Sequence, residues 1–207
     1  MVNWPLFIAL GIILGVATAM FELPYVYAVI LLVAIVIFMI VRMYYIALYS
    51  TNMKAVKKYI QKHKKEPVMN FFLQVADGTK EDEIKAIDHV ISTARTSNIK
   101  RTYEMNRAIR LKDFDLAEEI AQSISDNEYG KYGLAIIAAS RGNYEEAEEY
   151  SFFTLWMKWA VQAEIAYSQK NREKYDENVQ KTIDASKGVQ RFVVIHNFRK
   201  AEQEQDW

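Results

Sequence analysis

The chain has 207 residues, 26 basic and 26 acidic side chains, and no cysteine. The lack of cysteine excludes disulfides, thiol catalysis and cysteine-bound metals, and it fits a reducing compartment. The neutral total hides an uneven distribution, because residues 1–50 carry only two charges, Glu22 and Arg42.

Two apolar runs fill these first fifty residues. The first, residues 4–21, would reach ~27 Å as a helix, which just spans a hydrocarbon core. The second, residues 25–49, is long enough to span with tilt and leaves Arg42 near its end, where it can reach the headgroups. Only residues 22–24 connect the runs. The sequence therefore predicts a transmembrane helical hairpin over residues 1–50.

Two glycines share one face of the first run. Gly11 and Gly15 are about one helical turn apart, a spacing that allows another backbone to approach closely. Two helix-packing interpretations stay open. The glycines pack against the second run within the hairpin, or they form a homodimer with another copy of the chain.

A basic segment, residues 51–66, follows the hairpin. It contains no acid between its six lysines, which are Lys54, Lys57, Lys58, Lys62, Lys64 and Lys65. Cytoplasmic loops carry such an excess, so we expect a two-span protein of the cell membrane with both termini in the cytoplasm. As an alternative, the first run is a signal peptide cleaved after residues 17–19, although it has no basic start and another span follows.

The lysines begin a charge gradient along the chain. Residues 54–110 hold 13 basic and 7 acidic side chains, a net charge of +6, whereas residues 111–207 hold 12 and 18, a net charge of −6. Each basic residue near an anionic leaflet contributes ~1 kcal/mol of attraction. We therefore expect the six lysines to contact the bilayer and its anionic headgroups, and the acidic half to point away. No nucleic acid is expected, because few aromatic residues accompany the lysines.

Residues 67–207 predict a cytoplasmic helical domain, which gives an all-α fold class for the chain. Apolar residues recur at helical spacing, with breaks near residues 77–79, 96–98, 112–113, 125–127, 141–143, 169–171 and 186–188. Thr79 is expected to cap a helix with Asp82. Glu81 and Glu83 are interpreted as helix-start acids that suit the macrodipole. The apolar run at residues 189–198 is expected to cap the domain.

A thirty-residue period runs through this domain. Residues 113–120 and 143–150 each contain an aromatic residue, an alanine three positions later (Ala117 and Ala147) and then two consecutive glutamates. Such a period indicates stacked helical hairpins, in which the small alanine admits the neighbouring helix.

Residues 134–147 resemble the tetratricopeptide repeat family. They have small residues in a first helix, a Gly-x-Tyr turn and a second-helix alanine. The preceding unit departs from the family pattern, since Lys112 replaces the turn glycine. The resemblance covers roughly residues 100–185 and implies an α-solenoid whose concave groove binds a peptide or helix of a partner protein. A divergent helical solenoid of another family would give the same pattern.

An aromatic stretch, residues 150–161, has Lys158 as its only charge. As one helix it would place Phe152, Leu155, Trp156 and Trp159 on a common face. It is either a core helix or an exposed patch that docks a protein partner. The predicted protein-binding residues are Tyr144, Phe152, Phe153, Trp156 and Trp159.

Motifs that indicate catalysis are missing from the sequence. His63, His89 and His196 stand alone, and there is neither a phosphate-binding glycine loop nor a nucleophile elbow. We expect no metal, no cofactor and no catalytic residue. The sequence predicts a membrane-anchored scaffold protein that recruits partners. The alternative is a membrane-associated enzyme with its site between hairpin and domain.

Overall fold

The computed structural model describes residues 4–22 and 24–204, and the regular structure of these residues is entirely α-helical. The all-α fold class is confirmed. Leu23 of the predicted connection and residues 205–207 of the predicted domain lie outside the described residues. The described helices are α1 (Trp4–Met20), α2 (Tyr25–Leu48), α3 (Met53–Lys62), α4 (Pro67–Asp77), α5 (Lys80–Thr93), α6 (Ser97–Arg110), α7 (Phe114–Ser123), α8 (Glu128–Ser140), α9 (Tyr144–Glu149), α10 (Leu155–Ser168), α11 (Arg172–Ala185) and α12 (Gly188–Glu204).

Within the described residues, α2 is the one helix that is long and apolar enough to cross a membrane. It has 24 residues and a mean hydropathy of 2.8, and none of its apolar window is buried inside the protein. The shorter α1 contacts α2. A Cβ atom built at Gly11 or Gly15 would meet no described atom within 4 Å outside its own helix. This glycine face is therefore not a close contact between α1 and α2.

The basic segment is largely helical and belongs to the folded body. In α3 the Asn52 side chain caps the first turn by accepting from the Ala55 amide at 3.2 Å. Val56 and Ile60 lie on one face of α3 and are fully buried against Phe192 of α12. The packing of the apolar face of α3 thus sets the orientation of the lysine-rich face, which lies on the opposite side of the helix.

Within residues 97–185, three helical hairpins share one turn geometry. They pair α6 with α7, α8 with α9 and α10 with α11. Each turn contains a residue with positive φ (60°, 85° and 55°). The backbone amide of the residue that follows it donates to the carbonyl oxygen of an alanine five positions before that amide. The three sets are Lys112, Asp113 and Ala108; Gly142, Asn143 and Ala138; and Lys170, Asn171 and Ala166. This left-handed C-cap recurs in each hairpin and is the structural counterpart of the period in the sequence.

The two repeat alanines are buried where helices meet. Ala117 of α7 contacts Ala108 and Ile137, and its side chain has no exposed surface. Ala147 of α9 lies in a cluster with Ala138 and Val161. Small side chains at these positions let three successive helices approach closely.

Enlarging either alanine is expected to destabilise the domain. Ala117→Leu and Ala147→Leu should each lower the free energy of unfolding by ~1–3 kcal/mol, because the added methyl groups have no space. Urea unfolding of the full chain in detergent micelles, followed by tryptophan fluorescence, measures the loss. Ala185→Leu is the control, since Ala185 is half-exposed at the end of α11. A loss as large for the control would contradict tight packing at the repeat alanines.

The C-terminal helix joins the two ends of the helical array. α12 contacts α11, and it also contacts α2, α3 and α4. Its Lys200 ammonium donates to the carbonyl oxygens of Gln74 at 3.2 Å and Gly78 at 2.7 Å. The helix that contains residues 189–198 therefore does more than cap the last hairpin, because it also packs against α2, α3 and α4.

The aromatic stretch at residues 150–161 is not one helix. α9 ends at Glu149 and α10 begins at Leu155, so the predicted helical face that joins Phe152 to Trp156 is wrong. Glu128 of α8 holds the intervening loop. One carboxylate oxygen accepts from the Thr154 hydroxyl at 2.6 Å, and the other accepts from the Phe153 and Thr154 amides. These bonds satisfy amides that a continuous helix would have paired internally.

Candidate functional site

A cavity of about 490 Å³ with both charged and apolar lining residues lies against α12, and we name it the central cavity. Residues of α5, α6, α7, α8, α10 and α12 line it. Its charged lining residues are Lys80, Glu83, Arg110, Lys112, Glu164 and Lys200. Four of these six side chains are basic, so the lining carries more basic than acidic groups.

Glu83 ties three walls of the central cavity together. It is only 3% exposed, and one of its carboxylate oxygens accepts from the Arg110 guanidinium of α6. The other oxygen accepts from the Lys200 ammonium of α12. Arg110 also donates to Asn197 of α12 at 2.9 Å. A buried carboxylate with two cationic partners therefore anchors α12 to α5 and α6.

Glu164 of α10 is the second acid of the central cavity. Burial raises the pKa of the Glu164 carboxyl above its ordinary value of 4.5, and the Ser140 hydroxyl, which donates to it at 2.8 Å, partly offsets this rise. Burial disfavours the charged form, so a larger share of Glu164 is neutral than of an exposed glutamate.

Glu164→Gln is expected to change the pH dependence of stability. The raised pKa means that the folded state holds the proton more tightly than the unfolded state. The resulting stability is fully present below pH 4.5 and is lost as the pH rises through the folded-state pKa. Relative to the parent chain, the variant should thus gain stability as the pH rises. Urea unfolding at several pH values tests this, with the exposed Glu149→Gln as control. A gain that stays constant with pH would contradict the assignment.

A second cavity, of about 600 Å³, lies between the end of α2 and the helical body, and we name it the junction pocket. Its lining residues are Met43, Tyr44, Ala47 and Leu48 of α2, Tyr59 of α3, Met69 and Phe72 of α4, Tyr129 of α8, Trp156 of α10, and Lys187, Val189 and Gln190 near the start of α12. Apolar and aromatic side chains dominate this lining, and Lys187 is the one charged residue in it.

The structure brings some of the predicted protein-binding aromatic residues together, because Phe152 and Trp156 both contact Tyr132, with ring centroids 6.3 Å and 5.3 Å from that of Tyr132. Tyr144 and Phe152 are partly buried against the cluster around Ala147. Trp156 lines the junction pocket, and Trp159 lies beneath the ammonium groups of two lysines. Phe153 is 97% exposed. The five side chains therefore lie in different surroundings, and Trp156 shares the junction pocket with Met43 and Tyr44 of α2. That the acidic half points away from the membrane stays a prediction.

The predicted membrane-surface lysines are nearly all exposed. Lys54, Lys58 and Lys62 follow one face of α3 at four-residue spacing, opposite its buried face. Lys64 and Lys65 are exposed in the loop before α4. Lys57 differs, because its ammonium pairs with the Asp77 carboxylate of α4 at 2.9 Å.

The chain matches no protein-family model, and neither a curated protein nor a solved structure is similar to it. The tetratricopeptide resemblance therefore stays a prediction, based on residues 134–147. The repeated turn geometry is compatible with it.

Three residues of these cavities escaped the sequence reasoning. In sequence, Glu83 is interpreted only as a helix-start acid and Lys187 only as part of a helix break, and no role is predicted for Glu164. The residues around them in the cavities come from distant parts of the chain, so no local signal indicates these positions. Across residues 4–22 and 24–204, no group of three His, Asp or Glu side chains could hold a metal ion. His63 hydrogen-bonds Glu66 at 2.9 Å.

Proposed function

We propose that this chain is a membrane-anchored scaffold whose tetratricopeptide-like domain binds a partner protein at the cytoplasmic face of the cell membrane. In this proposal α1 and α2 form a two-span hairpin with both termini in the cytoplasm. The observation that carries it is α2, a helix of 24 apolar-rich residues that is exposed along its span and yet packs against α3 and α12 of the body.

Membrane insertion gives the exposed surface of α2 an apolar environment. At ~1.5 Å per residue the helix is ~36 Å long, which suits a tilted span of the hydrocarbon core. A continuous exposed apolar surface of this size is typical of a membrane or protein interaction site. The exposed lysine face of α3 begins a few residues after α2 ends and would meet the headgroups of the same leaflet.

The central cavity is the proposed site for the partner. Arg110 and Lys200 pair with Glu83, so the basic excess of the lining comes from Lys80 and Lys112, and this excess supports binding of an acidic segment of another protein. Lys80 and Lys112 are exposed at its rim, where an extended segment could reach them. The repeat hairpins supply a stable frame for such a groove.

Site-specific crosslinking tests this function. A photoreactive benzoylphenylalanine replaces Lys80 of α5 or Gln203 of α12, which are exposed residues that line the central cavity. After illumination of native membranes, we expect mass spectrometry to identify the same acidic partner protein from both positions. Raised salt should weaken this capture, because charge contributes to binding.

Lys85 and Lys174 are the control positions, since both are exposed and neither lines the cavity. Equal capture of the same protein from the control positions would contradict a cavity site. Recovery of small molecules alone would instead favour the enzyme alternative.

A further inference from the structure

The junction pocket lies where the candidate membrane span meets the helical body. One wall consists of the last turns of α2, including Met43 and Tyr44. Tyr129 of α8 and Trp156 of α10 contribute to the facing walls. The pocket is therefore apolar, and it lies next to the leaflet that α2 would enter.

The turn before α12 places a lysine at the end of α2. The Gly188 amide donates to the Ser50 carbonyl oxygen at 2.9 Å, and the Gly188 backbone lies directly against Ala47. Lys187 immediately precedes this contact and is exposed. Since a span ends at headgroup level, Lys187 lies at that level, while Met43, ~6 Å further along the helix, lies toward the hydrocarbon.

We propose that the junction pocket binds one anionic phospholipid of the bilayer, with an acyl chain among the aromatic side chains and the phosphate beside Lys187. The volume of about 600 Å³ falls within the ~300–1,000 Å³ of ligand pockets. The single lysine favours an anionic headgroup. This inference rests on the membrane anchoring in the proposed function.

The loop before α10 supports the same assignment. Phe153 and Leu155 are 97% and 61% exposed, and they immediately precede Trp156 in the pocket wall. The Glu128 carboxylate fixes this loop through Thr154. Beside a bilayer, exposed apolar side chains of this kind act as interfacial anchors.

Fluorescence quenching by lipids tests the proposal. The chain has tryptophans at positions 4, 156, 159 and 207. The variant with Trp4→Phe, Trp159→Phe and Trp207→Phe keeps Trp156 as the reporter. It is placed in phosphatidylcholine nanodiscs that contain a minor fraction of acyl-brominated phosphatidylglycerol or acyl-brominated phosphatidylcholine. Bromine quenches on contact, and we expect the anionic lipid to be about fivefold more effective, as one basic residue near its phosphate implies.

Matched variants separate the headgroup from the acyl chain. Lys187→Gln should abolish the preference for phosphatidylglycerol, whereas Lys85→Gln, which removes an exposed charge outside the pocket, should preserve it. Ala47→Phe fills the pocket and should reduce quenching by both lipids.

The outcomes distinguish failure of this site from failure of the anchor. Equal quenching by both lipids in every variant would overturn an anionic phospholipid site. An unquenched Trp156 in a nanodisc-bound chain would overturn lipid binding and leave the pocket to a protein segment. Release of the parent chain from native membranes by alkaline carbonate would overturn the membrane anchor itself.

Discussion

Gly188→Ala is expected to lower the free energy of unfolding by ~2–5 kcal/mol, as the sum of backbone strain and overpacking. Gly188 has a φ of 56°, in the left-handed region that favours glycine. A Cβ atom there would lie 2.0 Å from the carbonyl oxygen of Ala47 and 2.5 Å from its carbonyl carbon. Both are backbone atoms of α2, so no side-chain rotation can relieve the clash.

The variant should also loosen α2 from the body, because the Gly188 amide bonds Ser50 at the end of that helix. Urea unfolding of the full chain in detergent micelles measures the loss, and limited proteolysis between α2 and α3 reports the loosening. Gly142→Ala is the matched control. Gly142 has a φ of 85°, but the atom nearest to a Cβ built there, the Tyr144 hydroxyl oxygen, is 3.9 Å away.

The control therefore carries conformational strain alone, ~1–2 kcal/mol. The difference between the two variants isolates the contact between the α12 turn and α2. Equal losses, with unchanged proteolysis, would mean that this contact does not hold the helix.

Local signals predicted most helix boundaries. Thr79 and Asp82 form the expected capping box, in which the Thr79 hydroxyl accepts from the Asp82 amide at 3.2 Å and the Asp82 carboxylate accepts from the Thr79 amide at 3.1 Å. The predicted breaks at residues 112–113, 141–143 and 169–171 all fall between helices. Caps and turns depend on neighbouring residues, which is why the sequence alone reveals them.

The turn geometry itself was harder to predict. The glycine at position 142 indicates a left-handed backbone conformation, but Lys112 and Lys170 adopt the same conformation although they are not glycine. The hydrogen bonds of the turn to Ala108 and Ala166 offset the cost of that conformation. The sequences of the first and third hairpins therefore match the repeat pattern less well than their turn geometry does.

Contacts between distant residues were beyond the sequence. The break at residues 150–154 depends on Glu128, more than twenty positions earlier, and nothing near the loop signals it. The acidic half of the chain is not separated in space from the basic half, because its last helix, α12, contacts α2, α3 and α4. As a result Lys187 and Trp156, from the acidic half, meet α2 in one pocket.

Glu83→Gln is expected to lower the free energy of unfolding by about 2 kcal/mol. Removing one partner of a buried ion pair costs ~3–5 kcal/mol. The Arg110 and Lys200 side chains are 21% and 25% exposed, so solvent screens part of the charge left behind and reduces that cost. Glu81→Gln is the control, since Glu81 is exposed two residues earlier in α5, and we expect a change within about 0.5 kcal/mol.

A double-mutant cycle of Glu83→Gln with Lys200→Met assigns the loss to the contact between α5 and α12. Urea unfolding in micelles supplies the four free energies, and a coupling energy near zero would contradict the contact. Because Lys200 lines the central cavity, its release should also free the end of α12. Partner crosslinking from Gln203 on α12 should then fall in Glu83→Gln membranes, while crosslinking from Lys80 on α5 persists. Parallel loss at both positions would mean that the whole cavity, and not α12 alone, depends on Glu83.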